Sequence, residues 1–221
     1  MVSKLLNRVF KEHKSEERCL YDHVAEEYAA DDAQAAPILK GLVAKLIAEE
    51  RCSYILDLGC GAGRYFPVLK GDLIVGVDLS VGMLKQALRK FKSVNLIQSD
   101  VFHLPFRKGV FDLVISMSII GEHCPFNVEL LEEIRRTLSQ DGVFAFTSVP
   151  LHHYLTRLPL IMYMLLRGRS VYSIFYASKH RIKTSLWRLG FKIDCIQEIH
   201  SKPSTVQAHH YVVAIKQSAD A

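Results

Sequence analysis

Three glycines and an acidic residue stand close together in the segment Asp57-Leu-Gly59-Cys-Gly61-Ala-Gly63-Arg64, at the end of an apolar run. Glycines at the end of a buried strand let the backbone approach a ligand closely. The dinucleotide fingerprint G-x-G-x-x-G requires a glycine where Arg64 stands, and the chain has no Gly-Lys-Ser/Thr of a phosphate-binding loop. The pattern therefore predicts a cofactor loop and disfavours both a dinucleotide and nucleotide hydrolysis.

A further acidic residue stands at a spacing that suits a sugar. Asp78 ends the apolar run 73–78, 19 residues after Gly59. A carboxylate only accepts hydrogen bonds and can take two hydroxyl donors at once. Asp78 therefore suits the two hydroxyls of a ribose; the alternative is that it caps a helix beginning at Val81.

Three other segments complete a pattern that resembles the class I S-adenosylmethionine-dependent methyltransferases, especially their common small-molecule type. The segments are Ser99-Asp-Val101 with Leu104-Pro-Phe106, the run 111–120, and the upstream Tyr21-Asp-His-Val-Ala-Glu-Glu-Tyr28. The resemblance covers residues 20–150. It implies S-adenosylmethionine as the cofactor, with its methionyl part beside the end of the fourth strand and the upstream helix closing over it.

The resemblance also implies which residues hold the cofactor. Asp78 would accept the ribose hydroxyls and Asp100 the adenine amino group. Asp57 alternatively only holds the glycine loop, Met83 alternatively belongs to the core, and Cys60 contributes backbone rather than a reactive thiol. The residues predicted to bind the cofactor are Tyr21, Tyr28, Asp57, Gly59, Cys60, Gly61, Gly63, Asp78, Leu79, Met83, Asp100, Val101 and Ser116.

No catalytic residue is identified from the sequence. Methyl transfer is an in-line displacement from an activated sulfonium, so the protein mainly supplies proximity and desolvation. If the acceptor must lose a proton, the candidate bases are Glu122, His123, His152 and His153, each of which is alternatively a loop or rim residue. The family often has an aromatic or histidine pair where Gly121-Glu122 stands, so the acceptor atom stays open.

Cysteine usage predicts neither a metal site nor disulfides. The five cysteines at 19, 52, 60, 124 and 195 form no C-x-x-C pair, and the histidines lack ligand spacing. The first 14 residues are charged and amphipathic, without the apolar core of a secretory signal. We therefore expect a cytoplasmic protein without a bound metal.

Strand-like and helix-like stretches alternate along residues 36–150. Five short apolar runs read as buried parallel strands, at 54–58, 73–78, 94–97, 112–116 and 142–149. The helix-like stretches are 36–50, 65–70, 81–92 and 128–139, with Ser80 and Asn127 as N-caps of the last two. This alternation predicts a doubly wound, Rossmann-like α/β sheet with helices on both faces.

The C-terminal part adds a helix at 179–189, capped by Ser178, and two strands at 191–196 and 209–216. The connection between these strands has no crossover helix, so they must be antiparallel. The sequence thus predicts seven strands with a C-terminal antiparallel hairpin in a single domain over 1–221. Within it, 1–50 would form N-terminal helices, 51–150 the cofactor core, 151–190 a lid or acceptor segment and 191–221 the strand pair.

The acceptor side is predicted from the apolar, Met-rich stretch 151–169. Its uncharged run at 158–166 is too short to cross a bilayer, which takes about 20 residues. Residues 151–176 are predicted to form a helical lid; the alternatives are a helix on a membrane surface and a dimerisation face. Residues 151–221 carry ten Lys and Arg against three Asp and Glu, which fits a solvated basic face or an RNA backbone.

Together these features predict an enzyme that transfers a methyl group from S-adenosylmethionine to a small, hydrophobic molecule. Two alternatives of other classes stay open: a methyltransferase acting on tRNA or protein, and a catalytically silent cofactor-binding scaffold. The expected partner is a small-molecule acceptor. Nucleic acid, a peripheral membrane contact and a homodimer are the alternatives.

Overall fold

The computed structural model describes residues 2–31, 37–121, 123–148, 178–200 and 208–217. The helices are α1 (Val2–Asp31), α2 (Pro37–Glu50), α3 (Val81–Lys90), α4 (Val128–Thr137) and α5 (Lys179–Arg188). The strands are β1 (Tyr54–Leu58), β2 (Leu73–Asp78), β3 (Asn95–Gln98), β4 (Phe111–Ile120), β5 (Leu138–Ser148), β6 (Phe191–His200) and β7 (Ala208–Lys216). Most of the predicted lid segment, together with Glu122, His152 and His153, lies outside the described residues.

Within the described residues, seven strands form one sheet in the order β3-β2-β1-β4-β5-β7-β6. β1 pairs in parallel with β2 and β4, while β7 pairs antiparallel with both β5 and β6. The predicted Rossmann-like sheet with its C-terminal antiparallel hairpin is therefore confirmed. The strand order reverses between β1 and β4, and this reversal leaves a crevice at their carboxyl ends.

Both faces of the sheet are buried, which explains why the central strands read as continuous apolar runs. On β4, Val114 packs with the hydrophobic cluster that includes α4 and α5, whereas Leu113 and Ile115 pack with the cluster that includes α2. On α5, Ile182 and Leu186 are fully buried against the sheet. The helix α5 thus belongs to the core, although the sequence interpretation grouped it with the lid.

The prediction of a helix at 65–70 is wrong. Residues 61–68 form consecutive turns, with bonds such as Phe66 N–H to Gly63 C=O at 3.2 Å and Val68 N–H to Tyr65 C=O at 2.9 Å. Pro67 has no N–H to continue a helical ladder, and the segment is too short to compensate for that loss. Buried Phe66 and Leu69 produced the helix-like pattern.

Other boundaries differ by a few residues. The strands β4 and β6 extend beyond the predicted 112–116 and 191–196, and β5 begins at Leu138 instead of at 142. The helices α3 and α4 end two residues earlier than predicted. Ser80, Asn127 and Ser178 act as N-caps, as predicted, each accepting a hydrogen bond from a backbone N–H in the first turn. Among the described residues, no helix combines the length and the apolar character needed to cross a membrane.

Candidate active site

A cavity of about 150 Å³ opens at the carboxyl ends of β1, β2 and β4, beside the reversal of strand order, and α1 forms one of its walls. The predicted residues that line it are Tyr21, Tyr28, Gly59, Cys60, Gly61, Asp78, Leu79, Met83, Asp100 and Val101. Asp57, Gly63 and Ser116 do not line it. The segments chosen from the sequence thus converge on one crevice, which is where open α/β sheets bind ligands.

The glycine loop turns sharply between β1 and the end of β2. Gly59 and Gly61 have φ angles of 66° and 54°, in the left-handed region that residues with a Cβ atom rarely adopt. The N–H groups of Gly59 and Cys60 both donate to the Val77 carbonyl, at 2.7 and 3.0 Å. A Cβ on Gly59 would lie 1.6 Å from Ile119 Cδ1, so glycine lets the loop lie against the Ile119 side chain at the end of β4.

Asp57, Gly63 and Ser116, which were predicted to bind the cofactor, do not line the cavity. A Cβ on Gly63 would lie 2.6 Å from the Phe66 ring, so this glycine serves packing. Asp57 is 1% exposed beneath the loop, which favours its structural alternative. Ser116 is also buried, because β4 continues past it; Met117, Ser118 and Ile119 line the cavity instead.

Asp78 organises the loop from the end of β2. Its two carboxylate oxygens accept hydrogen bonds from Gly61 N–H at 2.8 Å and Ser80 N–H at 2.9 Å. Burial raises the pKa of Asp78 above its usual value, although these backbone N–H groups act in the opposite direction. The N-cap of α3 is Ser80, whose hydroxyl accepts from Met83 N–H at 3.1 Å, so the alternative that Asp78 caps this helix is wrong.

Asp100 is held by a residue that the sequence interpretation missed. The Lys14 ammonium on α1 forms an ion pair with Asp100 Oδ2, and Asp100 Oδ1 accepts from Phe102 N–H at 3.1 Å. The same ammonium lies 4.3 Å from the centroid of the Phe102 ring. Because Lys14 and Asp100 are 86 positions apart, no local sequence pattern links them.

Helix α1 is fixed over the cavity by polar contacts along its length. Asp22 accepts hydrogen bonds from the Ser80 hydroxyl at 2.6 Å and from Gly82 N–H at 2.7 Å. Partial burial raises the pKa of Asp22, but these two bonds together with the nearby charges of Arg18 and Lys85 lower it below its usual value. The Arg64 guanidinium also donates to the Tyr28 hydroxyl at 2.9 Å. The helix predicted to close over the cofactor therefore lies against the site.

His123 is the only one of the four candidate bases that the described residues include, and it lines the cavity. Its ring nitrogens contact two residues of α1, the Glu17 carboxylate at 3.0 Å and the Tyr21 hydroxyl at 3.1 Å. The Tyr21 ring also meets the Tyr28 ring edge-on, with centroids 5.7 Å apart. Glu17 was absent from the sequence-based site, since only the fold brings α1 to the end of β4.

Neither cavity cysteine has the character of a nucleophile. Burial raises the pKa of Cys60 well above its usual value, and burial raises that of Cys124 to about 12. Both therefore remain thiols at neutral pH, whereas the nucleophilic form is the thiolate. This agrees with the expectation that Cys60 contributes its backbone. In the described part of the chain, no three His, Cys, Asp or Glu side chains group as metal ligands.

A family model described as "Methyltransferase domain" matches residues 56–146, which include the glycine loop, Asp78 and Asp100. This part of the chain therefore resembles a methyltransferase domain in sequence. The matched residues run from β1 to β5 and hold most of the cavity wall. The family resemblance inferred from the sequence is therefore confirmed.

Two proteins similar to this chain are named as methyltransferases. The chain is 32% identical over 136 residues to a malonyl-[acyl-carrier protein] O-methyltransferase of Legionella pneumophila, covering 55% of this chain and 47% of that protein. It is 33% identical over 99 residues to an 18S rRNA (guanine-N(7))-methyltransferase of Bos taurus, covering 43% and 35%. The chain thus spans less than half the length of these relatives.

A solved protein structure has a fold similar to that of this chain. The magnesium protoporphyrin IX methyltransferase of Synechocystis, solved with bound S-adenosylhomocysteine, superposes with a TM-score of 0.70 at 20% identity. The superposition covers 93% of this chain and 100% of that one. At this identity the likeness concerns the fold.

Proposed function

We propose that this chain is an S-adenosylmethionine-dependent methyltransferase that acts on a small, hydrophobic molecule. The observation that carries the proposal is the convergence, in one cavity, of the glycine loop with Asp78 and Asp100. The match of residues 56–146 to the methyltransferase domain supports the same activity. The wall near the end of β4 includes the apolar side chains of Met117 and Ile119, which supports an apolar acceptor.

The residues present fit the cofactor. A carboxylate has about four acceptor positions, so Asp78 can hold the loop N–H groups and still accept ribose hydroxyls. Asp100 follows β3 and would accept the adenine amino group, while Leu79 and Met83 would flank the ring. Glycine at 61 suits this loop because its φ of 54° lies in the left-handed region, which residues with a side chain rarely adopt.

Bound S-adenosylmethionine supplies a methyl group that its sulfonium charge has already activated. The chain itself orients the ligand through Asp78 and Asp100 and excludes water with α1. In such a site, proximity and desolvation supply most of the acceleration, so few dedicated catalytic groups are needed. The contacts of α1 with Ser80, Gly82 and His123 keep this cover in place.

Transfer from tritiated S-adenosylmethionine into an extract of the source organism tests the proposed function. After incubation, the lipid, small-molecule, RNA and protein fractions are counted separately. We expect label in the small-molecule or lipid fraction. Label in RNA or protein would overturn the acceptor class, and cofactor binding without label in any fraction would indicate the scaffold alternative.

Lys14→Met is expected to tighten S-adenosylhomocysteine binding about threefold. Lys14 pairs with one oxygen of the carboxylate that we assign to the adenine amino group, so it competes with the ligand for Asp100. The pair is partly exposed, and such pairs contribute about 1 kcal/mol or less. Calorimetry on the wild type and the variant measures the change, with Lys45→Met as the control because Lys45 forms an exposed pair with Glu49 on α2. Weaker binding in Lys14→Met would mean that Lys14 contacts the ligand instead.

A further inference from the structure

A carboxylate, an imidazole and a phenol lie in a row where α1 meets the end of β4. Glu17 Oε2 lies 3.0 Å from His123 Nδ1, and the Tyr21 hydroxyl oxygen lies 3.1 Å from His123 Nε2. All three side chains line the cavity next to the glycine loop. We refer to Glu17, His123 and Tyr21 together as the His123 row.

The hydrogen-bond partners assign the proton on the imidazole. An ionised carboxylate only accepts hydrogen bonds, so the nitrogen facing Glu17, Nδ1, carries the proton in neutral His123. Nε2 then has the lone pair and accepts from the Tyr21 hydroxyl. The hydroxyl oxygen of Tyr21 has lone pairs of its own and can accept a hydrogen bond from a donor in the cavity.

We propose that the His123 row takes a proton from the methyl acceptor. Tyr21 contacts the acceptor, His123 receives the proton, and Glu17 is a positioning residue that fixes the imidazole. This proposal rests on the methyltransferase function proposed above. It gives Tyr21 a role at the acceptor, whereas the family resemblance placed this residue among the cofactor contacts.

The step balances in protons and electrons. The proton of the acceptor's O–H or N–H group passes to the Tyr21 oxygen as the Tyr21 proton passes to His123 Nε2, which forms an imidazolium beside the Glu17 carboxylate. The electron pair left on the acceptor atom forms the bond to the methyl carbon. The pair of the breaking carbon–sulfur bond stays on sulfur, so the donor becomes a neutral thioether. The imidazolium then releases its proton to solvent.

This chemistry defines the substrate class. A hydroxyl or N–H acceptor keeps its proton at neutral pH and gains from a base, whereas a carboxylate is already ionised and needs none. The buried side chains of Met117 and Cys124 line the same cavity, which suits an apolar molecule. The row therefore predicts a small apolar alcohol, phenol or amine rather than a carboxylic acid.

Other ionisable groups line the cavity, but their positions fit other roles. Asp78 and Asp100 are held by backbone N–H groups, and Asp100 also pairs with Lys14. Cys124 stays a thiol because burial raises its pKa to about 12. Among the residues that the structure describes, the other ionisable groups lining the cavity are Lys14, Arg18, Tyr28, Cys60, Arg64, Tyr65, Asp78, Asp100 and Cys124.

The tautomer of His123 tests the geometry without any turnover. Nitrogen-15 NMR of histidine-labelled protein identifies the His123 signals by their loss in His123→Gln. We expect the proton on Nδ1 at neutral pH in the wild type. Glu17→Leu should move it to Nε2, because Nδ1 then loses its acceptor. A proton on Nε2 in the wild type, or an unchanged tautomer in Glu17→Leu, would overturn the proposal.

Methyl transfer into the extract then tests the role in the reaction. His123→Gln and Tyr21→Phe should each lower tritium incorporation about a hundredfold, with S-adenosylhomocysteine affinity within about threefold of the wild type. His23→Gln, on the exposed side of the same helix, is the matched control and should transfer normally. The tritiated product should resist mild base, unlike a methyl ester, which releases labelled methanol.

Three results of this assay would overturn the proposal. They are normal transfer by His123→Gln, weakened cofactor binding as the sole defect of Tyr21→Phe, and release of the label as methanol. Absence of transfer by the wild-type chain would instead overturn the proposed function, and the proton-transfer role with it. The tautomer result is independent of turnover, so the two failures are distinguishable.

Discussion

Asp78→Ala is expected to weaken S-adenosylhomocysteine binding about a hundredfold. Hydrogen bonds to a charged group contribute about 1.5–3 kcal/mol each, and the variant loses both ribose bonds. The lower end of this range for two bonds, about 3 kcal/mol, corresponds to slightly more than a hundredfold change. The variant also removes the acceptor of Gly61 N–H, so the loop itself becomes less ordered.

The matched control for this experiment is Asp72→Ala, an exposed acidic residue just before β2. It should leave the affinity unchanged, which separates the contact of Asp78 from a general effect of charge. Thermal melting of both variants checks that they are folded. If Asp78→Ala is folded and binds within threefold of the wild type, Asp78 only organises the loop.

Gly59→Ala is expected to destabilise the fold by about 3 kcal/mol and to abolish measurable cofactor binding. The positive φ of 66° costs an L-residue roughly 1–2 kcal/mol, and overpacking typically costs a further 1–3 kcal/mol. The added Cβ would lie 1.6 Å from Ile119 Cδ1, so either the Ile119 side chain or the loop must move. Urea unfolding and calorimetry measure the two effects.

Two further variants separate the causes. Gly41→Ala on α2 places a Cβ where no atom lies within 4 Å, so it should be neutral or slightly stabilising. Adding Ile119→Ala to Gly59→Ala removes the steric clash but not the strained φ, so it should restore part of the stability. Unchanged stability in Gly59→Ala would show that the loop relaxes freely and that close contact with β4 is not required.

The sequence predicts the sheet well because its central strands are buried on both faces. Runs such as 73–78 are short, β-branched and bounded by turn residues, and that pattern is local. The cofactor loop is equally readable, since its glycines are needed for backbone conformation at Gly59 and Gly61. In both cases the residue types alone carry the information.

The remaining errors have physical causes. At 65–70 the apolar spacing resembled a helix, but Pro67 and tertiary burial of Phe66 produced turns instead. The end of β4 was placed too early because Ser116 interrupts the apolar run, although the strand continues to Ile120. The cavity is therefore lined by Met117, Ser118 and Ile119, which follow Ser116, and not by Ser116 itself.

Lys14 and Glu17 could not be assigned from the sequence at all. Each forms its contact across the cavity, Lys14 with Asp100 and Glu17 with His123, over separations of 86 and 106 positions. Within α1 they read as ordinary charged residues of an amphipathic helix. Their partners come close only because α1 packs over the carboxyl ends of the strands.

A calorimetric titration of the wild-type chain with S-adenosylhomocysteine tests the cofactor site most directly. The convergence of the glycine loop, Asp78 and Asp100 predicts saturable binding with a dissociation constant in the micromolar range, together with a rise in melting temperature. Titration that gives no heat, with no shift in melting temperature, would contradict the assignment of this cavity to the methyl donor.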